Sequence, residues 1–232
     1  MSSEFHVESF LSAKQLNHQS VSLIIPRLTR DRIHNNIYYK VNLQPTSLRG
    51  DTLLELSKVI IRDLGTLKDL SVNKVHVLGG MEFKCLLMKL IEIRPTINQL
   101  FAMLNPANAN TNFEDKYITA LIITYLRIQY FYLTDAQECL RMKNLFKKCI
   151  KDYRKLKSLS LQSDCWSPSE ELTVAVVHMD ELTEWLVSKE QIWGIPLGKC
   201  QWADIFDDDS DVSSASSSSF ESDYSDSEGK LQ

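Results

Sequence analysis

Apolar residues recur at the helical period along much of the chain. One clear apolar face is made by Leu53, Leu56, Ile60 and Leu64. Thr52 and Glu55 have the spacing of a capping box, and Gly65 is a natural terminator. The pattern therefore predicts a helix that begins near Thr52, or earlier at Thr46 or Ser47, and ends at Gly65.

The same spacing predicts helices on both sides of this one. Pro26 suits a first helical turn, and an imperfect amphipathic segment runs from it to about Asn42. Phe83 begins another apolar face, and that helix ends before Pro95, which disfavours helical angles at the residue before it. A short helical segment, TINQLFAML, follows.

The most apolar segment, FEDKYITALIITYLRIQYFYL, has apolar residues on nearly every side. Such a pattern predicts a buried central helix, and the spacing of Thr111 and Glu114 is that of a capping box at its start. Arg127 lies within this helix. Because an unpaired buried charge is costly, we expect Arg127 to form a buried structural ion pair, and the alternative is a functional pocket.

A basic helix is predicted next, with start signals at Thr134 and Gln137. Its predicted apolar face comprises Met142, Leu145, Phe146, Cys149, Ile150, Tyr153 and Leu156. Residues 141–157 contain eight bases and one acid, and helical spacing places four of the bases on the opposite stripe: Lys143, Lys147, Lys151 and Arg154. This stripe stays solvated, docks an acidic protein partner, or neutralises RNA phosphates.

The last part of the body is less regular. The β-branched segment TVAVVH suggests a strand, and Asp180 is expected to cap the helix ELTEWLVSK. Three tryptophans, Trp185, Trp193 and Trp202, either close the core or dock a partner, and we single out Trp193 and Trp202 for docking. The predicted fold class is all-α, a compact multi-helix domain around a buried central helix.

Gly79 and Gly80 directly precede a helical pattern. A phosphate-binding loop needs a lysine and a hydroxyl just inside the helix, whereas this helix opens with Met81, Glu82 and Phe83. Glu82 would repel a phosphate at the helix N-terminus. We therefore interpret the glycine pair as a joint in the fold.

Composition and charge divide the chain. Of its 26 bases and 30 acids, residues 203–232 hold one base and nine acids, which leaves 25 bases and 21 acids in residues 1–202. The sequence thus predicts a helical domain over 1–202 and a disordered, acidic, serine-rich tail over 203–232. Ser218 and Ser225 each precede a glutamate by three residues, as acidophilic kinases prefer, so the tail is either a phosphorylation site or a solubilising segment.

Catalytic and metal motifs are missing from the sequence. The five cysteines show no C-x-x-C spacing, and a reducing cell interior is expected. No G-x-S-x-G, zinc spacing or acid pair indicates catalysis, so we expect no enzyme activity, metal or cofactor. No apolar stretch has the length of a membrane span, and the first residues do not resemble a signal peptide.

Several blocks in order resemble the pre-mRNA-splicing factor 38 family. They are VSLIIPRLTRDRIHNNIYYK, LGGMEFKCLLMKLIEIRP, KYITALIITYLRIQYFYL, DYRKLK and HMDELTEWL, and the end IWGIPLGKCQW is similar to the fungal members. The resemblance covers most of residues 4–202.

This resemblance implies a nuclear, all-helical, non-enzymatic protein of the spliceosome. The family joins with the tri-snRNP and the pre-catalytic complex and is required for activation. The implied partners are a microfibrillar-associated-protein-like factor, a zinc-finger splicing factor and the large central scaffold protein. An alternative from the residues is direct binding of snRNA or pre-mRNA backbone by residues 141–157.

Overall fold

A computed structural model describes residues 25–67, 76–104, 113–130, 133, 135–162 and 172–197. Within these ranges the fold is mainly helical, as predicted. The helices are α1 (Arg27–Asn35), α2 (Ile37–Asn42), α3 (Leu53–Leu64), α4 (Met81–Ile93), α5 (Ile97–Leu104), α6 (Lys116–Gln129), α7 (Ala136–Cys149) and α8 (Met179–Ser188).

Helix α6 lies at the centre of the domain, which confirms the prediction of a buried central helix. Every side chain from Tyr117 to Gln129 is buried. The helix packs against α3, α4, α5, α7 and α8. Apolar residues all around α6 therefore each have a neighbouring helix to pack against, and burial of this surface is the main favourable term in folding.

Three short antiparallel ladders supplement the helices. β1 (Thr66–Leu67) pairs with β2 (Phe113–Glu114), β3 (Lys155–Leu159) with β4 (Val174–His178), and β5 (Gln191–Ile192) with β6 (Ile195–Pro196). The predicted strand TVAVVH is thereby confirmed, whereas the other strands were not predicted. Leu78 also forms an isolated parallel bridge to Ser158, so β3 has neighbours on both edges.

Helix α3 follows its sequence pattern closely. It spans Leu53–Leu64, the side chain of Thr52 accepts a hydrogen bond from the Glu55 backbone N–H, and Gly65 is its C-cap. The preceding helix was predicted to be continuous, but the chain breaks between α1 and α2 at Asn36, whose side chain accepts from the Tyr38 backbone N–H. An Asn side chain that caps the backbone in this way competes with helix continuation.

The predicted starts of three helices need correction. Glu114 belongs to β2, so α6 begins later, with Asp115 as its N-cap. Asp135 caps α7 by accepting a hydrogen bond from the Gln137 backbone N–H. Helix α8 begins at Met179 with His178 as N-cap, so Asp180 lies inside its first turn. Thr111 and Thr134 lie outside the described residues.

Candidate interaction surface

The predicted basic stripe does not lie on one helix. Lys143 and Lys147 are on α7, which ends at Cys149. Lys151 lies in the turn that follows, and Arg154 directly precedes β3. The prediction of a helix through Leu156 is therefore wrong, and the four bases are divided between a helix, a turn and an extended segment.

The helix ends because Asp152 offers the backbone a different partner. Its carboxylate accepts a hydrogen bond from the Arg154 backbone N–H at 3.0 Å. Local side-chain to backbone bonds of this kind favour a turn over continued helix. Beyond the turn, β3 pairs with β4. Leu156 is buried, as expected, but it lies in this β-ladder and not on a helix.

Arg154 is held between two carboxylates. Its Nη2 lies 2.7 Å from Asp152 Oδ2, and its Nη1 lies 2.8 Å from Asp115 Oδ1. Burial alone would lower the pKa of Arg154, but the hydrogen bonds to Asp152 and Asp115 outweigh it and raise that pKa. Burial would likewise raise the pKa of Asp152, but hydrogen bonds from Arg154 bring it below its usual value. Arg154 therefore joins the start of α6 to the turn before β3, and its guanidinium already binds protein acids.

Four lysines remain exposed around this turn: Lys148, Lys151, Lys155 and Lys157. We call them the basic face. Lys155 and Lys157 lie on the same side of β3, because they are two residues apart in a strand. Among the residues that the structure describes, no carboxylate lies within ion-pair distance of Lys148, Lys155 or Lys157.

Apolar side chains border the basic face. Val176 pairs with Lys157 across the ladder and is 61% exposed. Tyr153, in the turn, is 71% exposed, although it was predicted on the apolar face of a helix. The surface thus combines several positive charges with exposed aliphatic and aromatic groups, a composition suited to a polyanion or an acidic peptide.

Trp193 is fully buried, so its predicted role in partner docking is wrong for this fold. Its indole Nε1 donates to the Leu159 carbonyl oxygen at 3.2 Å, and its ring meets Phe83 edge-on with centroids 5.5 Å apart. Trp185 is partly buried against the core. Trp202, like the candidate phosphorylation sites Ser218 and Ser225, lies outside the described residues.

Gly79, the first residue of the glycine pair, lies against this tryptophan. Gly79 has a φ of +74°, and a Cβ at Gly79 would lie 2.5 Å from carbons of the Trp193 ring. The Leu78 backbone N–H donates to the Lys157 carbonyl oxygen at 2.8 Å. Gly79 therefore acts as the predicted joint. Because it has no side chain, the segment that leads into α4 can pack between β3 and the turn that contains Trp193.

Arg127 is fully buried in α6 and binds two backbone carbonyl groups. Its Nε donates to the Leu186 oxygen at 2.6 Å, and its Nη1 donates to the Leu197 oxygen at 2.8 Å. Arg127 therefore links the central helix to the end of α8 and to the residue after β6. The carboxylate partner expected from the sequence stays a prediction.

A buried polar cluster surrounds Glu92 on α4. Its carboxylate oxygens lie 2.8 Å from His34 Nε2, 2.6 Å from the Tyr39 hydroxyl and 3.1 Å from Lys89 Nζ. Lys89 Nζ also lies 2.7 Å from Asp51. Burial alone would raise the pKa of Glu92, but the His34 hydrogen bond and the Lys89 charge lower it. The cluster attaches α1, α2 and the start of α3 to α4.

Sequence reasoning missed the cluster, and of the basic face it singled out only Lys151. The cluster joins residues far apart in sequence, and no local spacing marks it. Lys155 and Lys157 did carry a local signal, since KLK alternates polar and apolar residues in the period of a strand, although Ser158 and Leu159 do not continue the alternation. That alternation was outweighed by the helical spacing upstream.

In the described segments, no three His, Cys, Asp or Glu side chains gather in a way that could hold a metal ion. Helices in the same segments also lack the combination of length and apolar character that crossing a membrane requires.

Comparisons with known proteins agree on one family. The model of the PRP38 family matches residues 14–210. The chain is 52% identical over 219 residues to pre-mRNA-splicing factor 38 of Saccharomyces cerevisiae, covering 90% of each protein. Its fold is similar to a chain in the crystal structure of the Snu23-Prp38-MFAP1(217-258) complex of Chaetomium thermophilum, with a TM-score of 0.53, 18% identity and coverage of 84% and 85% of the two chains. The chain belongs to the PRP38 family.

Proposed function

We propose that this chain is a nuclear pre-mRNA splicing factor that acts as a non-enzymatic protein scaffold of the spliceosome. The observation that carries this proposal is the 52% identity over 90% of the chain with a yeast pre-mRNA-splicing factor. A scaffold also agrees with a described surface that offers charge and apolar contact.

The proposed partners are an MFAP1-like factor and a Snu23-like zinc-finger factor, together with the large central scaffold protein. The structural relative named above was crystallised with Snu23 and an MFAP1 segment. We propose that the chain joins with the tri-snRNP, acts in the pre-catalytic complex and is required for its activation.

A reconstitution experiment tests this function. Yeast extract depleted of its own factor should accumulate assembled but unactivated spliceosomes, and the purified full chain should restore release of the early base-paired RNAs and production of mRNA. Denatured chain serves as the control. Normal RNA release in the depleted extract would contradict a role in activation.

Partner binding is tested separately. The full chain should copurify with MFAP1-like and Snu23-like proteins mixed in equal amounts, and all three should elute together. If the chain restores splicing in the depleted extract but elutes without the two partners, its function in splicing would be supported and the proposed contacts with these partners would be contradicted.

A further inference from the structure

We propose that the chain's own acidic tail, residues 203–232, binds the basic face and covers it against other polyanions. The inference does not depend on the proposed function. It starts from charge: the tail contributes nine acids and one base, whereas residues 141–157 contribute eight bases and one acid. Opposite charges on one chain attract at short range in ordinary salt.

The basic face is suited to receive carboxylates because its own acid is already engaged. Asp152 binds Arg154, and Asp115 binds the same guanidinium. Among the described residues, Lys148, Lys155 and Lys157 lack a carboxylate partner at ion-pair distance. An acidic segment would therefore meet three lysines that no carboxylate of the described residues approaches to ion-pair distance, although the charge of Lys148 also helps to lower the pKa of Asp152.

Apolar contacts add a second element of fit. Val176 and Tyr153 are exposed beside the lysines. The tail carries Phe206 just before its first acidic run and Phe220 just before Glu221. An aromatic side chain next to carboxylates matches a surface on which aliphatic groups adjoin lysines.

Chain length permits this contact. The structure describes the chain up to Leu197, and the tail begins a few residues later. Fully extended, such a tail spans on the order of 100 Å, whereas a folded domain of this size has a radius of gyration of about 16 Å. A site on any face of the domain is within reach, and tethering gives an effective concentration on the order of 1 mM.

Carbodiimide crosslinking of the full chain tests the contact, because the reagent joins a carboxylate to a neighbouring lysine. Peptide mass spectrometry should find tail acids joined to Lys148, Lys155 and Lys157, and these products should decline as salt is raised to about 0.5 M. Lys40 is the internal control, because it is exposed and no carboxylate of the described residues lies within ion-pair distance of it. Tail acids joined equally to Lys40 would overturn the proposal, as would basic-face lysines joined to Glu170 or Glu171 in place of the tail.

Isotope mixing shows whether the contact is within one molecule. Equal amounts of ¹⁵N-labelled and unlabelled chain should give crosslinks almost entirely between peptides of the same isotope. A statistical mixture of labelled and unlabelled pairs would mean that the tail binds a second copy, and the proposal as stated would fall.

A competition experiment tests the covering role, with a short single-stranded oligonucleotide as the polyanion probe. Replacing Asp207, Asp208, Asp209 and Asp211 by Asn in the full chain should raise oligonucleotide affinity about tenfold, given the effective concentration above and a weak intrinsic affinity. Adding Lys148→Gln, Lys155→Gln and Lys157→Gln should abolish that gain. If the wild-type chain and the four-Asn chain bind the oligonucleotide with equal affinity, the tail does not cover the basic face and the proposal is overturned.

Discussion

Gly79 and Trp193 pack so closely that the glycine has no room for a side chain. Its Cα faces the indole, and a Cβ there would lie 2.5 Å from the ring carbons. Trp193 itself has a positive φ of 48°. Two residues with left-handed backbone thus meet between α4 and the turn that joins β5 to β6, which fixes how this turn closes the core.

Gly79→Ala should therefore destabilise the protein by about 3 kcal/mol, which combines left-handed strain with overpacking against the ring. Urea unfolding followed by circular dichroism measures the change. Gly50→Ala is the matched control, since Gly50 has a φ of +109° but its added Cβ would meet only Thr52 Cγ2, at 4.0 Å. Equal costs at the two positions would show that contact with Trp193 contributes nothing.

Glu92→Gln should lower stability at neutral pH by about 2 kcal/mol, because buried Lys89 loses one of its two carboxylate partners. Asp51 remains and limits the loss. Glu55→Gln is the control, since the Glu55–Lys58 pair is exposed and contributes less than about 1 kcal/mol. Chemical unfolding of both variants at neutral pH measures the difference.

The cost of Glu92→Gln should also depend on pH. The folded pKa of Glu92 is lowered, so the unfolded chain binds more protons between that pKa and the unfolded value of about 4.3. The stabilisation by Glu92 is complete above the unfolded value and is lost as the pH falls through the folded pKa. Wild-type and variant stabilities should therefore converge in acid, and a constant gap down to about pH 3 would contradict this assignment.

Much of the fold could be predicted because its signals are local. Helix α3 shows its period, its cap and its terminator within one segment, and α6 shows a central position through apolar residues on all sides. The end of α7 could not be predicted in this way. Residues 150–157 fit two periods, and the choice depends on pairing of β3 with β4 and Leu78, which are distant in sequence.

The candidate site was predicted less well for the same reason. A helical period placed Arg154 beside Lys147 and Lys151, but the guanidinium binds Asp115, a residue at the start of α6. Likewise, no local sequence signal indicated that Trp193 packs against Gly79. Burial and ion pairing are set by the tertiary fold, and charge composition reports only that bases are present.

Substitution of Arg154 should change stability more than substitution of the lysines beside it. Arg154→Gln should lower stability by about 1 to 2 kcal/mol, because it leaves Asp152 and Asp115 without their shared partner. Lys155→Gln and Lys157→Gln should change it by less than about 0.5 kcal/mol, since both side chains are exposed. Thermal unfolding distinguishes them. If Arg154→Gln does not change stability, the ion pairs of Arg154 contribute nothing measurable and Arg154 is equivalent to the exposed lysines.

Arg127→Met should cost about 3 kcal/mol, because it leaves the buried carbonyl groups of Leu186 and Leu197 without this donor. Arg141→Gln is the control: Arg141 is exposed and binds Asn98 at the surface, so its loss should cost little. Hydrogen exchange adds a local measurement. Amides at the end of α8 should exchange faster in Arg127→Met, and unchanged protection there would contradict the link between α6 and α8.

Phosphorylation of the tail should strengthen its contact with the basic face. Each phosphate at Ser218 or Ser225 adds about −1.5 to −2 charge, so more salt should be needed to abolish the crosslinks to Lys155 and Lys157. Treatment of the full chain with an acidophilic kinase, followed by crosslinking across a salt series, measures this shift. A chain with Ser218→Ala and Ser225→Ala, treated in the same way, should keep the unmodified salt profile. If the treated wild type carries both phosphates and its profile does not move, charge on this part of the tail does not reach the basic face.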